Sequence, residues 1–496
     1  MERTVILAAG QREAASATQA QEWTRIFSSR WMLAVILGAA CLVYLPTLRD
    51  WFSNDDFWFL RAGQTNSIGR YVVTSFDFRQ TGTSVEFDRY RPLYPIAWHL
   101  QYSLFGMQAA YYHAVVVGLH LGCTVLAWFI ARRLFTAAWV ANLVALIFAI
   151  HPVYADAIAW ISGGNRVFEM FPYLLSLLFF MKYMDRREER QAWLLAASFT
   201  GFVIAVLFHS SALSLAAVLP AYAFLIAGEP ADALKPRAWL WFAPYLVFTL
   251  IEGGIQYWVR GHLGIDDGFR FGFHQYSNYA QYLGLAAVPI ERTTIRGLAG
   301  SLAAVLQQLA ALAMLALTFV LLSRRPPFRL GTFAVIWLFA SLLPDSTLIL
   351  GTFGRAMYMP GLAVAVFLAA AMLWLRDALP ANLSTAGVRV APYALLIGLA
   401  PALWLTHIHV RTTARDSSRD QQLAQAIQRD APIPANGGTL YVVNAPKLLT
   451  FYNDSSLEKL TQLYLGDITV KSLSAPDAAR LEASLPAGDR IYRYAP

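Results

Sequence analysis

The chain has 496 residues, 57% hydrophobic and 14% charged, with a net charge of +8 and a mean hydropathy of +0.45. Soluble domains carry about 25% charged residues, and many runs here reach the roughly 20 apolar residues that cross a bilayer, so a soluble globular protein is excluded. The runs are too continuous for barrel strands. The basic charge lies in short loops and does not point to nucleic acid. Cys41 and Cys123, both inside apolar runs, offer neither a disulfide framework nor a thiolate metal site.

Residues 1–30 are polar and carry no cleavable leader pattern, which predicts a cytoplasmic N-terminal segment and a retained first helix. About eleven transmembrane helices are predicted, near 31–48, 109–131, 136–150, 167–184, 192–208, 211–227, 238–259, 301–323, 330–349, 356–375 and 390–408. That count puts Arg132-Arg133, Arg186-Arg187-Arg190, Lys235-Arg237, Arg324-Arg325-Arg329 and Arg376 with Arg389 on one side, which the positive-inside rule makes cytoplasmic. The loop 49–108, the segment from His151 to Arg166, the loop 260–299, the turn 344–355 and everything after about 410 then lie outside.

The tail, 410–496, reads as a small extracytoplasmic α/β domain. It is expected to hold a helix plus linker over 410–436, strands in "TLYVVN" and "DITVKSL", an amphipathic helix in "APDAARLEASL" and a last strand in "DRIYRYAP". The expected architecture is an α-helical polytopic membrane protein, with a transmembrane domain over 31–409 ahead of this tail.

Polar residues gather in the outer loops. "WFSNDDFWFLR", 51–61, sets Asp55 and Asp56 among Trp51, Phe52, Phe57, Trp58 and Phe59. "DRYRPLYPIAWHLQYSLFG", 88–106, holds Arg91 and reads as a short helix along the interface. "HPVYADAIAWISGGNR", 151–166, holds His151, Asp156, Asn165 and Arg166, and "LLPDSTLILGTFGRAMYMP" holds Asp345, Arg355 and Tyr358. Acids at 55, 56 and 156 could act as a base or, through Asp55 and Asp156, hold a divalent cation such as magnesium or manganese. Arg91, Arg166 and Arg355, with Tyr358, could grip a phosphate through forked hydrogen bonds, supported by His151, Asp156 and Asn165.

Plainer readings compete with these. A loop acid pair is commonly just solvated, an arginine at a helix end commonly snorkels to headgroups, and His151-Pro152 is commonly a helix stop. His99, His113, His120, His209 and His274 read as satisfied polar residues; His113 and His120 share a helix face but no third ligand is evident. Glu169, Glu252 and Gln256 fall in or near apolar spans. Asp266-Asp267 reads as a flexible loop.

Four blocks occur in order over about residues 45–365: "NDDFWFL", "YRPLYPIAWHLQYSLFGMQAAYYHAVVVGLHLGCTVLAWFIARRLF", "HPVYADAIAWISGGNR" and "GRAMYMPGLA". Together they resemble the GT-C superfamily of polyprenyl-phosphate-sugar glycosyltransferases, in its protein O-mannosyltransferase, TMTC-like branch. No tetratricopeptide pattern is present. The resemblance implies a GT-C-like bundle and an inverting hexosyltransferase that moves a sugar from a polyprenyl phosphate to a glycan, lipid or protein hydroxyl. Undecaprenyl phosphate in a bacterial inner membrane is the expected carrier. It implies Asp55 as base with Asp56 in support, and Arg91, Arg166 and Arg355 as donor-phosphate contacts. Asp156 stands where the family usually has Glu, Gly354 where it often has Glu, and His209-Ser210-Ser211 where it often has Lys-Glu, so a charge usually placed near the donor is missing. The rival classes are a non-catalytic envelope-polysaccharide assembly partner and a lipid-linked sugar transporter. A transporter would call for mid-depth polar residues on broken helices in paired halves, whereas the polar residues here collect at one edge.

Overall fold

The computed structural model describes residues 28–29, 31–79, 85–86, 89–185, 191–228, 235–262, 272–290, 298–323, 329–347, 352–378, 381–435, 437–447, 449 and 454–495. Helix α1 (Met32–Tyr44) precedes the first loop. That loop is itself folded, into α2 (Asp56–Thr65), α3 (Ile68–Phe76), a hairpin of β1 (Val85–Glu86) and β2 (Arg89–Tyr90), and α4 (Leu93–Phe105). Next come α5 (Ala109–Leu134), α6 (Ala138–Ile150), the one-turn α7 (Asp156–Ala159), α8 (Asn165–Asp185), α9 (Ala192–Phe208) and α10 (Leu215–Ala221). The bundle continues with α11 (Ala243–His262), α12 (His274–Ala287), α13 (Leu298–Ser323), α14 (Arg329–Ser346), α15 (Tyr358–Ala378) and α16 (Ala381–Asp430).

A helix stands at each of the spans read from the sequence. Among the described residues, six stretches are both long and apolar enough to cross a membrane: Met32–Arg49, Ala109–Leu134, Ser162–Asp185, Ser210–Ala227, Ser301–Leu322 and Gly354–Leu375. The shorter apolar helices α6 and α9 pack on α5 and α8. The chain is an α-helical integral membrane protein. On α13, Leu302, Val305, Leu306, Leu309, Leu312 and Phe319 are exposed, as suits a helix whose solvent on that face is lipid.

Two expectations need correction, the loop at 260–299 and the first loop. The stretch 260–299, read as a loop, contains α12, while Asp266-Asp267 lie outside the described residues. The segment 410–436, read as helix plus linker, is helical to Asp430 and without helix or strand over 431–435, and its helix is continuous with the preceding span. The first loop carries two helices that the sequence reading passed over. In α2, buried Asp56, Phe57, Leu60 and Gly63 recur at helical spacing, and Phe59 joins them. The expected N-terminal segment lies outside the described residues apart from positions 28 and 29.

After α16 come β3 (Thr439–Val443), α17 (Ser455–Leu465), β4 (Thr469–Leu473), α18 (Ala475–Glu482) and β5 (Arg490–Arg493). The strands form a parallel sheet in the order β4-β3-β5, a pairing that requires crossovers; α17 and α18 supply them. Helix α17 was not expected; it starts after Asp454, a left-handed residue whose carboxylate accepts from the Ser472 N–H and hydroxyl.

Two cores organise the molecule. One fills the bundle around Phe148, Tyr154, Tyr173, Trp337 and Tyr358. The other joins the first loop to the tail: Phe52, Phe57, Phe59, Leu60, Tyr94 and Trp98 pack in one cluster with Leu423, Ile427, Leu440, Val442, Leu457 and Leu460. Close approach is needed where α2 meets α4, since a Cβ at Gly63 would stand 2.8 Å from the Tyr102 ring.

A candidate active site in the first loop

Asn54 adopts φ +51°, a left-handed conformation that Asn tolerates better than most residues. Its side-chain Oδ1 accepts from the Ser456 hydroxyl at 3.0 Å. This turn delivers Asp55 to the start of α2, where its side chain caps nothing. Asp55 is half-buried, yet its Oδ1 is shielded from solvent and has no hydrogen-bond partner among the described residues. Burial raises the pKa of this carboxyl, while the charges of Arg355 and then Arg91 pull it back down. The Arg355 guanidinium lies over two rings, 4.7 Å from the centre of Phe353 and 5.1 Å from that of Trp160. Such stacking fixes the plane of the guanidinium and leaves its edge donors available.

Asp56, the adjacent acid, is in the opposite situation. Its Oδ2 accepts from the Ser53 N–H at 2.9 Å, and its Oδ1 accepts from the Ser162 N–H at 2.8 Å and from the Ser162 hydroxyl. Burial pushes it up to about 7 although these bonds favour the anion. Asp56 therefore ties the first loop to the "WISGGNR" segment, which also sends the Trp160 indole N–H to the Ser53 carbonyl at 3.1 Å. One acid of the pair is saturated and the other keeps an open oxygen.

The remaining sequence candidates separate in space. Arg91 and Arg355 share Asp55. Arg166 does not join them: it is buried in the bundle, where it donates to Asp345 at 2.7 Å and to Ser211 at 2.7 Å, with Glu169 at 3.9 Å. An arginine braced between two acids has little left for a phosphate, so the expected phosphate contact becomes an internal ion pair. The His209-Ser210-Ser211 departure is part of this brace, since His209 Nδ1 sits 3.5 Å from Arg166 and 3.6 Å from Glu169. Tyr358 is likewise internal, its hydroxyl 2.8 Å from His120 Nδ1, while His120 Nε2 reaches the Ala149 carbonyl at 2.9 Å. His151 Nε2 meets the Ala286 carbonyl at 3.0 Å, and its Nδ1 accepts from the Val153 N–H. Asn165 opens α8 with its Oδ1 unpartnered among the described residues. Asp156 lies close enough to Asp416 on α16 for the two like charges to interact.

The residues around Asp55 do not fit a divalent cation. Among the described residues, no three His, Cys, Asp or Glu side chains come together as a metal group. The charges that act most on Asp55 are two guanidiniums, which repel a cation and attract an anion.

Two groups at the site, Ser162 and Asp420, were not picked out from sequence, and Gln256 was noted only as a polar residue in or near an apolar span. Ser162 holds Asp56. Gln256 holds Tyr90, next to Arg91. Asp420 accepts from the Ser53 hydroxyl at 2.9 Å. The last had a legible signal: Asp416, Asp420, Leu423, Ala424 and Ile427 recur at helical spacing.

Part of the chain has counterparts in known proteins. The chain is 34% identical over 159 residues to mouse "Protein O-mannosyl-transferase TMTC1", covering 31% of this chain and 17% of that protein. It is 30% identical over 177 residues to Xenopus laevis "Protein O-mannosyl-transferase tmtc2", covering 34% and 21%. The chain is similar in sequence to the TMTC O-mannosyl-transferases. The similarity takes in about a third of the chain and about a fifth of each of these relatives. It bears out the resemblance read from the motifs. No protein-family profile matches the chain. Among solved structures, it aligns with ArnT from Cupriavidus metallidurans bound to undecaprenyl phosphate at a TM-score of 0.44 and 14% identity, covering 92% of this chain and 89% of that one. It also aligns with the apo Archaeoglobus fulgidus oligosaccharyltransferase at 0.48 and 14%, covering 91% and 65%.

Proposed function

We propose that this chain is an inverting glycosyltransferase that moves a sugar from a polyprenyl phosphate to an acceptor hydroxyl at the outer face of a membrane. The observation that carries the reading is Asp55: a carboxylate with one shielded, unpartnered oxygen, beside Arg355 and Arg91. The similarity to the TMTC O-mannosyl-transferases supports a glycosyl-transfer chemistry. Asp55 removes the acceptor O–H proton as the oxygen attacks the anomeric carbon. The new C–O bond forms as the bond from that carbon to the phosphate oxygen breaks, and the electron pair departs with the polyprenyl phosphate. Arg355 and Arg91 stabilise the charge that develops on that phosphate. Asp56 serves as a fixed strut next to the base.

The charge pattern supports a cytoplasmic N-terminus and an outward-facing first loop and tail; a bacterial inner membrane with undecaprenyl phosphate as carrier is the setting we propose. The acceptor is a glycan, lipid or protein hydroxyl. The test is release of polyprenyl phosphate from a panel of polyprenyl-phosphate sugars by purified wild type and Asp55→Asn. Turnover by wild type that the variant loses, with folding and donor binding retained, supports the reading. Absence of turnover by wild type with every donor and acceptor class overturns it.

A further inference from the structure

Ser53, two residues before Asp55, is held through all three of its polar groups. Its N–H donates to Asp56 at 2.9 Å, its carbonyl accepts from Trp160 at 3.1 Å, and its hydroxyl donates to Asp420 Oδ2 at 2.9 Å. Asp420 is 367 residues away in sequence, on the stretch of α16 that leads into the tail, and is 1% exposed. The tail grips the same loop elsewhere. Ser417 on α16 accepts from the Trp51 N–H at 3.4 Å, and Ser456 on α17 donates to Asn54. Past Asp55, Lys459 lies 4.8 Å over the Trp58 ring and Asp467 pairs with Arg61 at 2.6 Å. The apolar side chains between these bonds belong to one core.

These contacts bracket Asp55 on both sides. The turn they hold includes a left-handed non-glycine residue, which persists where its surroundings over-determine it. We propose that Asp420 is a positioning residue for Asp55, and that the tail from α16 to β5 is part of the catalytic unit, setting the place of the base. This rests on the reading of Asp55 as the base. Asp420 touches no reacting atom; it acts through Ser53. A base displaced by about 1 Å can lose on the order of a hundredfold in rate.

The test compares wild type with Asp420→Ala, Asp420→Asn, Ser53→Ala and the double variant Ser53→Ala/Asp420→Ala in the full-length protein in detergent. Two readouts are taken, turnover of the donor panel per folded molecule and amide hydrogen exchange over residues 51–61. Asp420→Ala is expected to speed exchange in this segment, and to lower kcat about tenfold or more with donor KM within about twofold. Asp420→Asn keeps an acceptor oxygen for Ser53 and restores most of the rate. Ser53→Ala matches Asp420→Ala, and the double variant is no worse than either, as for two ends of one interaction. Unchanged exchange over 51–61 in Asp420→Ala overturns the positioning role, and so does faster exchange with unchanged kcat. If wild type turns over no donor, the functional reading fails alone, since the exchange data still report whether Asp420 fixes the loop.

Discussion

Gln256 grips Tyr90 from both sides of its peptide unit: the amide donates to the Tyr90 carbonyl at 2.8 Å and accepts from the Tyr90 N–H at 3.2 Å. Its second amide hydrogen goes to Glu252 at 2.8 Å. Tyr90 precedes Arg91, so a residue of helix α11 sets the start of the backbone that carries one of the two arginines at Asp55. Replacing Gln256 by Leu strands a buried N–H and C=O at a cost of about 1–3 kcal/mol. The expected result is a rise of roughly tenfold in donor KM, the equivalent of about 1.4 kcal/mol, with a smaller change in kcat. Donor titration of Gln256→Leu reads this directly; an unchanged KM would detach Arg91 from donor binding.

Arg355 is the leading charge that holds the Asp55 carboxyl down against its burial. Its removal in Arg355→Gln lets burial act more fully, so the Asp55 pKa rises. A base with a raised pKa is protonated over a wider acidic range, so the acid limb of kcat/KM moves to higher pH in the variant. Paired pH–rate profiles show the shift. A limb that stays in place would mean that some other group is the titrating base.

Arg166 supplies a contrast between two roles read for one residue. As a phosphate contact it would govern donor affinity; its geometry, at 2.7 Å from Asp345 with Glu169 alongside, makes it a brace between α8 and α14. Removing one partner of a buried ion pair costs on the order of 3–5 kcal/mol, because the other charge is left uncompensated. Arg166→Met is therefore expected to lose folded protein, visible as early aggregation on heating in detergent. Arg166→Lys keeps the charge without the fork and is expected to melt at a lower temperature with donor KM unchanged. A large KM effect in Arg166→Lys at intact stability would restore the phosphate role.

The membrane helices were legible because each is a long apolar run, and hydropathy reports such runs whatever packs around them. The tail strands and α18 were legible from local alternation and an amphipathic pattern; in the structure Ser474 caps α18, accepting from the Asp477 N–H. The ordered first loop was harder to see. Helices α2 and α3 are short; the apolar residues of α2 face a partner, the tail, that follows more than three hundred residues later, and Tyr71 of α3 stacks on His99 of α4. Asp55 stood out by its aromatic neighbours, and the difference between Asp55 and Asp56 did not. That difference comes from Ser162 and Ser53, whose N–H groups select one carboxylate for saturation. Arg166 and Arg355 looked alike as arginines in outer motifs; Asp345, brought in by α14, together with Glu169 and Ser211, separates them.

The clamp between the first loop and the tail carries a pH dependence of defined sign. Burial raises Asp56 to about 7 and Asp420 to about 7. Asp55 adds to the first, while Asp416 adds to the second and Arg419 opposes it. An unfolded Asp titrates near 3.9, so the folded loop binds protons that the unfolded chain releases. Stability from this source is fully present below the ordinary carboxylate range and is lost as pH rises through about 7. Exchange over residues 51–61 is therefore expected to be better protected near pH 5.5 than near pH 8, once the intrinsic pH dependence of exchange is removed. Asp420→Asn deletes one of the two titrations while keeping an acceptor for Ser53, so its protection should vary less with pH than that of wild type. Protection that increases from pH 5.5 to 8 would mean that the hydrogen bonds from Ser53 and Ser162 outweigh burial and hold Asp56 as an anion throughout.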